Sequence, residues 1–223
     1  MSWLTPVALI PMHTPGEALA ELDHCVRALG FRAVVLAGHV ARPSPIPDPP
    51  RTARWLDTFG ADSLYDYDPV WARCEELGVA ATFHSSAMGW AGRASPTSYV
   101  FNHLGNFGAA GEATCRALFL AGVTRRFPRL RFAFLEGGVA WACQLYADLV
   151  GHFEKRNPQA IRALDPRALD LTRMRELFDR FASKRFRRHA DELDRALQLF
   201  ADPDEDPTGL DEFAACGIER AEE

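Results

Sequence analysis

Two short stretches decide the fold that this sequence predicts: LGVAATFHSS at residues 77–86 and LRFAFLEGG at residues 130–138. Each contains a continuous apolar run that ends directly in a polar side chain, His84 in the first and Glu136 in the second. Apolar runs without alternation are typical of strands that are buried on both faces of a parallel sheet. We therefore predict two such strands, each with a polar residue at its carboxyl end.

Two more runs of the same kind precede these, and helical patterns lie between the runs. The four predicted strands are Val7–Ile10, Ala33–Leu36, Val79–Phe83 and Phe132–Leu135. The predicted helices run from Pro15 to near Gly30, from about Pro69 to Leu77, through Ala113 to near Gly122, and from about Trp141 to near Asn157. Strands that alternate with helices predict repeated βα units and a parallel sheet.

The composition limits the classes of partner. The chain has 223 residues, of which 48% are hydrophobic and 25% are charged, as in an ordinary globular protein. Its net charge is -5, which argues against non-specific attraction to nucleic acid or to an anionic membrane. We expect a small-molecule substrate, no nucleic-acid partner and no membrane partner.

The cysteines and the N-terminus indicate a compartment. The five cysteines are odd in number and far apart, and none forms a CxxC pair, which favours a reducing environment. The first residues lack a basic region and are interrupted by prolines, unlike a signal peptide or a membrane anchor. We therefore expect a cytoplasmic protein.

Polar residues follow each predicted strand: His13 and His39 after the first two, and His84 and Glu136 after the last two. Because ligands of parallel βα proteins bind at the carboxyl ends of the strands, these four side chains share one edge if the strands are adjacent. Imidazole nitrogens and carboxylate oxygens suit zinc, manganese or iron. His84 and Glu136 are the stronger candidates, since a polar group that closes a buried strand needs a partner or a metal. A structural hydrogen bond is the alternative.

The segment between the third predicted strand and its helix, residues 85–106, is far longer than the usual βα connection of about 2 to 6 residues. It mixes aromatic groups with hydrogen-bond donors, as the wall of a pocket for a small aromatic or carboxylated substrate does. The substrate-binding candidates are Trp90, Arg93, Asn102 and His103. The alternative is a structural cover. The Gly137-Gly138 pair, which comes directly after Glu136, either lets the backbone approach a ligand closely or forms a tight turn.

The runs LGVAATFHSS and AGVTRRFPRLRFAFLEGGVAW, the second after an Ala-rich helix, resemble the amidohydrolase-related family. This family of metal-dependent TIM-barrel enzymes includes aminocarboxymuconate semialdehyde decarboxylase and the resorcylate-type decarboxylases. The resemblance covers roughly residues 5 to 156. It implies an α/β fold: a partial TIM (β/α) barrel with about four parallel βα units, followed by C-terminal helices.

The resemblance also implies roles for the two strand-end residues. In the family, the histidine that ends the strand equivalent to VAATFH is a metal ligand, which corresponds to His84. Glu136 occupies the place of a histidine that activates the metal-bound water or protonates the substrate, and we expect it to act as a general base. A divalent metal (zinc, manganese or iron) would lower the pKa of a bound water toward about 7. The implied activity is hydrolysis, with decarboxylation as the alternative.

Two expected motifs are missing from the sequence. The family opens with an Asp/Glu-x-His or His-x-His strand and closes with a Ser-Asp strand, and neither is found here. We therefore expect the middle of a longer enzyme, which alone binds metal weakly and turns over little substrate. The competing hypothesis is a non-catalytic half-barrel that binds a partner or pairs with another chain as a homo-oligomer.

The sequence predicts two domains. Residues 1–160 form the partial barrel, and residues 161–223 form a helical extension with an acidic tail. Residues 166–200 predict two helices whose basic run is a solvated face or, less favoured, an anion site. Residues 202–223 contain nine acidic residues and one basic residue, which predicts an exposed end of the chain.

Overall fold

The computed structural model describes residues 4–48, 50–51, 53–84, 95–161, 169–193, 195 and 217–220. The chain divides into two compact units, Met1–Ala147 and Asp148–Glu223. The division falls inside the helix Ala140–Arg156, so the predicted boundary after residue 160 stays a prediction.

Strands and helices alternate in the first unit. The strands are β1 (Val7–Ile10), β2 (Ala33–Leu36), β3 (Val40–Pro43), β4 (Arg54–Asp57), β5 (Ala81–Phe83) and β6 (Phe132–Phe134). The helices are α1 (Pro15–Leu22, continued by a π-helical turn Asp23–Ala28), α2 (Asp68–Leu77), α3 (Tyr99–His103), α4 (Asn106–Leu120), α5 (Val123–Arg126) and α6 (Ala140–Arg156).

The main sheet has four strands in the order β1-β2-β5-β6, and all neighbouring pairs are parallel. Leu36 pairs with Phe83, and Phe83 pairs with Phe134, so the strands end at nearly the same level. The four predicted strands are confirmed, although β5 begins two residues later and β6 ends one residue earlier than predicted. The sheet of the described residues is open, which agrees with a partial barrel.

In the structure, capping residues mark the start of α1 and the end of α2. The Thr14 hydroxyl accepts a hydrogen bond from the backbone N–H of Glu17 at the start of α1. Gly78 ends α2 in the left-handed conformation, with φ of 65°. These local signals fix the directions in which the helices leave and return to the sheet.

The core lies on one face of the sheet. Along β1, Ala8 and Ile10 are buried, whereas the side chains that alternate with them, Val7 and Leu9, are 54% and 71% exposed. The buried face packs with side chains of α1, α2 and α4, including Leu22, Trp71 and Leu118. Burial on both faces was therefore a wrong prediction for β1, because the described residues place no layer over the second face.

The sequence did not predict the antiparallel hairpin of β3 and β4, in which Val40 pairs with Asp57 and Pro43 pairs with Arg54. Pro43, the first residue of a proline-rich stretch, is the last residue of β3. Four-residue strands with mixed polarity give no periodic signal, so only their pairing reveals them.

In the second unit the described helices are α7 (Pro158–Ile161), α8 (Leu171–Phe181) and α9 (Lys184–Arg187), with a 3-10 turn at Ala190–Glu192. The Asp170 carboxylate accepts from the backbone N–H of Arg173 and begins α8. No described residue of α8 or α9 is buried, which agrees with a solvated basic face. Within the described part of the chain, no helix is long and apolar enough to cross a membrane.

Candidate functional site

His84 and Glu136 meet at the carboxyl edge of the sheet, between β5 and β6. The backbone N–H of His84 donates to the Leu36 carbonyl at 3.0 Å, and that of Leu135 donates to the Phe83 carbonyl at 2.9 Å. The ladder thus continues one residue past each strand and fixes both segments. His84 Nε2 lies 2.7 Å from Glu136 Oε2. The two residues that the sequence singled out are hydrogen-bonded to each other.

The chemistry of this pair follows from its two groups. An ionised carboxylate only accepts hydrogen bonds, so His84 donates to an ionised Glu136 in the tautomer that carries the proton on Nε2. The side chains of His84 and Glu136 are 39% and 58% exposed, so both are open to solvent. The expectation that burial forces a partner onto Glu136 was therefore wrong, because Glu136 lies past the buried part of its strand.

The backbone of Glu136 is strained. Its φ of 64° lies in the left-handed region, which costs a residue with a side chain about 1 to 2 kcal/mol. Such strain persists where the surrounding structure holds it, and it is found often at functional sites. The left-handed conformation turns the chain directly after β6 and so sets where the carboxylate lies.

The glycines after Glu136 serve packing and a turn. A Cβ on Gly137 would lie 2.9 Å from Trp141 Nε1 and 3.1 Å from the Cα of Gly108 in α4. Gly138 has a φ of 66°, which suits a turn. The close approach at Gly137 is therefore to α4 and Trp141, and it presses the loop that bears Glu136 against the helix.

A row of rings extends from His84 along α4 and α3. The Phe107 ring contacts His84 edge-on at 5.1 Å between centroids and contacts His103 in the same way at 5.2 Å. The Tyr99 ring stacks on His103 at 5.4 Å. The structure thus places His103, a predicted substrate-binding residue, on the side of the site, two ring contacts away from His84.

The other substrate-binding candidates have different outcomes. The Asn102 side chain donates to the Ser95 carbonyl at 2.9 Å and accepts from the Ser95 backbone N–H, which closes the end of the long loop. Trp90 and Arg93 lie outside the described residues. Their roles, like those of Asn102 and His103 toward a substrate, stay predictions.

His13 and His39 do not join the pair in one chain. His13 is exposed after β1, and its backbone carbonyl accepts from Arg42 Nη1 at 2.7 Å. His39 is buried, and its burial lowers the pKa of the imidazole, which favours the neutral form. In the described part of the chain, no three His, Cys, Asp or Glu side chains are grouped so that they could hold a metal ion.

Sequence reasoning missed a buried network close to this edge. Arg42 Nε donates to Asp57 Oδ2 at 2.8 Å, and Arg42 Nη2 donates to the Tyr67 hydroxyl at 2.9 Å. That hydroxyl donates to the Met12 carbonyl at 2.6 Å, and burial raises the pKa of Tyr67 to about 12. The network ties the β3–β4 hairpin to the loop before His13. An Arg and an Asp fifteen residues apart give no signal until the hairpin is known.

Comparison with known proteins gives the family. The amidohydrolase family model matches residues 4–186, and the chain belongs to this family. The resemblance stated from the sequence is confirmed.

Similar solved structures include an amidohydrolase from Mycobacterium avium subsp. paratuberculosis K-10, with 26% identity and a TM-score of 0.47. Others are 2,6-dihydroxybenzoate decarboxylase from Rhizobium and a 2,6-dihydroxybenzoate decarboxylase in complex with 2,6-dihydroxybenzoate, each with 20% identity and a TM-score of 0.43. The match covers 71% of this chain and 37% of the first protein, and 97% of this chain and 66% of the second. The chain thus spans less than two thirds of the length of each.

Amidohydrolases generally bind divalent metals, so the described residues can be tested against such a centre. A catalytic zinc site takes three protein ligands and keeps one open position. Here His84 and Glu136 supply two donor atoms, and these two atoms are bonded to each other. The described residues of one chain therefore do not fit a complete metal centre.

Proposed function

We propose that this chain provides catalytic residues of a metal-dependent hydrolase of the amidohydrolase type, which acts on a small carboxylated or aromatic substrate. Glu136 is its general base, His84 orients that base, and the family resemblance makes His84 a metal ligand as well. The supporting observation is the 2.7 Å hydrogen bond between His84 Nε2 and Glu136 Oε2 at the carboxyl edge of a parallel sheet. This edge is where βα enzymes place their catalytic groups.

In this proposal the two carboxylate oxygens of Glu136 have different functions. His84 holds Oε2 through its Nε2 proton, which orients the carboxylate. The second oxygen, Oε1, then accepts a proton from a water molecule as the water oxygen bonds to the substrate carbonyl carbon. Glu136 gives that proton to the leaving oxygen or nitrogen when its bond to the carbonyl carbon breaks, which restores the carboxylate. A positioned base of this kind contributes typically about 10²- to 10⁴-fold in rate.

Hydrolysis is favoured over decarboxylation by the residue type at position 136. Decarboxylation requires a proton donor at the carbon that loses carbon dioxide. The side chain here is a carboxylate, and in its ionised form it accepts a proton and has none to donate. The same group suits the removal of a proton from water.

The ring row supplies one side of a substrate site. Tyr99 and His103 are exposed beside the pair, and aromatic faces and edges pack well against a planar or apolar substrate. In this proposal Arg93 binds a substrate carboxylate, as arginine commonly does, and Trp90 and Asn102 complete the wall.

One copy of the chain is not expected to be an efficient enzyme. Zinc, manganese or iron are the metals that suit His84 and Glu136, but these two residues alone leave such an ion short of ligands. We therefore expect a single copy to bind metal weakly and to turn over little substrate.

The test is a panel of small aryl esters, amides and lactones, each with added zinc, manganese or iron. Acid release and carbon dioxide release are measured separately. We expect acid release, reduced at least about 100-fold in Glu136→Gln and unchanged in Glu154→Gln, which alters an exposed glutamate on α6. Carbon dioxide as the product, or an undiminished rate in Glu136→Gln, would contradict the proposal. No turnover of the whole panel would favour the non-catalytic half-barrel.

A further inference from the structure

The indole ring of Trp141 lies in a groove that three glycines form. Gly108 and Gly111 belong to α4, and Gly137 belongs to the loop after β6. A Cβ at these three positions would lie 3.5 Å from Trp141 Cδ1, 3.3 Å from Cζ2 and 2.9 Å from Nε1, respectively. A side chain at Gly111 or Gly137 would therefore displace the ring. We call the three glycines the indole seat.

The indole is held in its seat by packing. Its Nε1 atom is buried and has no hydrogen-bond partner among the described residues. A buried donor without an acceptor costs free energy, so hydrogen bonding does not explain a tryptophan at this position. The ring packs edge-on against Phe134 of β6, with 5.4 Å between the centroids. Trp141 therefore joins α4, β6 and the loop after β6 through the shape of its ring.

The indole seat lies directly beside Glu136, whose backbone is left-handed. Before Glu136, the N–H of Leu135 donates to the Phe83 carbonyl at 2.9 Å, which fixes the chain to the sheet. After Glu136, Gly137 packs against the indole and against the backbone of Gly108. Both neighbours of Glu136 are thus held by separate contacts, so the chain must turn at Glu136 itself.

The left-handed conformation of Glu136 would relax if one of these contacts were lost. A φ of 64° is unfavourable for a residue with a side chain, so an ordinary negative φ has lower free energy. A change of φ at Glu136 moves Gly137 relative to the sheet. The indole blocks this movement, because its ring already touches Gly137 and closely packed groups do not yield freely.

We infer that Trp141 is the positioning residue of Glu136: its seated indole keeps Glu136 in the left-handed conformation that places the carboxylate beside His84. The conformation depends on this packing whether or not the chain is an enzyme. The catalytic consequence rests on the proposed function, in which Glu136 is the general base. In that reaction, a displacement of the carboxylate by about 1 Å costs about 100-fold in rate.

The test compares two tryptophans, Trp141 and Trp71. Both have a buried indole N–H without a partner among the described residues. Trp141→Phe shortens the ring in the indole seat, whereas Trp71→Phe shortens a ring that packs in the core against Phe83 and Phe132. Both variants lose packing, but only Trp141→Phe changes a contact of the loop that bears Glu136. Trp71→Phe is therefore the matched control for a purely structural role.

The first readout is the nuclear Overhauser effect between the amide proton and the α-proton of Glu136. These two protons lie closest together when φ is positive, so the signal is strong only in the left-handed conformation. We expect a strong signal in the wild type and in Trp71→Phe. In Trp141→Phe we expect it to fall to the level of Leu135, whose φ is not positive.

A second substitution in the indole seat tests whether packing is the cause. Gly111→Ala alone pushes the indole out of place and is expected to weaken the Glu136 signal, which also covers a Trp141→Phe variant that misfolds. Combined with Trp141→Phe, its methyl group fills the space that the shorter ring leaves, and the strong signal is expected to return. A weak signal in the wild type, an unchanged one in both single variants, an equal loss in Trp71→Phe or no recovery in the double variant overturns the inference.

The second readout is acid release from the substrate panel, with kcat and KM measured separately. We expect Trp141→Phe to lower kcat by about 10- to 100-fold and to leave KM within about two-fold of the wild type, because the base moves while the ring row stays. Trp71→Phe is expected to change neither constant, and the double variant is expected to regain kcat.

The two readouts distinguish a failure of this inference from a failure of the proposed function. If the Glu136 signal is lost and regained as expected but no substrate of the panel is hydrolysed, the proposed function alone is refuted. If hydrolysis requires Glu136 but is unchanged in Trp141→Phe, the positioning role alone is refuted.

Discussion

Two polar pairs near the same edge of the sheet differ in almost every physical respect. Arg42 and Asp57 are buried and have several partners each, among them Tyr67, Ser63 and the backbone. His84 and Glu136 are open to solvent, and Glu136 sits on a strained backbone. The first pair is saturated with structural contacts, whereas the second keeps atoms available for a ligand. A polar pair whose hydrogen-bonding atoms are all used therefore indicates a structural role. An exposed pair with one residue on a strained backbone is a candidate for catalysis.

The largest loss of stability on mutation is expected at the buried Arg42–Asp57 pair. Arg42→Met leaves the Asp57 carboxylate buried without its cation, which costs about 3 to 5 kcal/mol in the free energy of unfolding. Urea denaturation followed by circular dichroism measures this loss. Arg173→Met, which removes an exposed ion pair with Glu176, is the control and is expected to cost no more than about 1 kcal/mol. Equal losses of unfolding free energy in the two variants would mean that the buried pair contributes no more to stability than an exposed one.

A smaller loss is expected where the scaffold meets the exposed pair. Gly137→Ala forces a methyl group toward Trp141 and the Gly108 backbone and is expected to destabilise the protein by about 1 to 3 kcal/mol. Gly151→Ala in α6 meets no such contact and is expected to stabilise its helix by about 0.5 to 1 kcal/mol. Thermal unfolding of both variants measures the difference, and a neutral Gly137→Ala would show that this loop is loosely packed.

The strain at Glu136 predicts a gain in stability. Glu136→Gly and Glu136→Ala both remove the carboxylate, but only glycine relieves the left-handed backbone. We expect the glycine variant to be more stable than the alanine variant by about 1 to 2 kcal/mol in urea denaturation. Equal stability would mean that the strain is absent in solution.

The smallest effect on stability is expected at the exposed pair itself. His84→Gln removes an imidazole from a solvent-exposed hydrogen bond, which is worth at most about 1 kcal/mol. Its denaturation midpoint is expected to stay close to that of the wild type. A loss as large as that of Arg42→Met would make the His84–Glu136 pair a scaffold as well.

The strands and caps were predictable from sequence because their signals are local. Val7–Ile10 and Ala33–Leu36 match β1 and β2 in both bounds, and α1 begins at Pro15 and α2 ends at Leu77 as predicted, next to the caps Thr14 and Gly78. The adjacency of their strands was enough to predict that His84 and Glu136 lie at one edge, but it did not predict the hydrogen bond between them.

The remaining features depend on contacts between distant residues. The Arg42–Asp57 network requires the β3–β4 hairpin, whose short strands have no periodic pattern. The one-sided burial of β1 depends on which layers are present, and a continuous apolar run does not encode that. The exposure of Glu136 depends on one backbone angle after β6.

The most direct test of the role assigned to the exposed pair is the zinc retained after gel filtration by wild type, His84→Ala and His152→Ala. His152 is an exposed histidine on α6 and serves as the matched control. We predict less than one zinc per chain in the wild type and in His152→Ala, as expected of a weak site, and less than about a tenth of the wild-type amount in His84→Ala. Zinc retained equally by His84→Ala, or by none of the three proteins, would contradict the assignment of His84 and Glu136 as the functional centre.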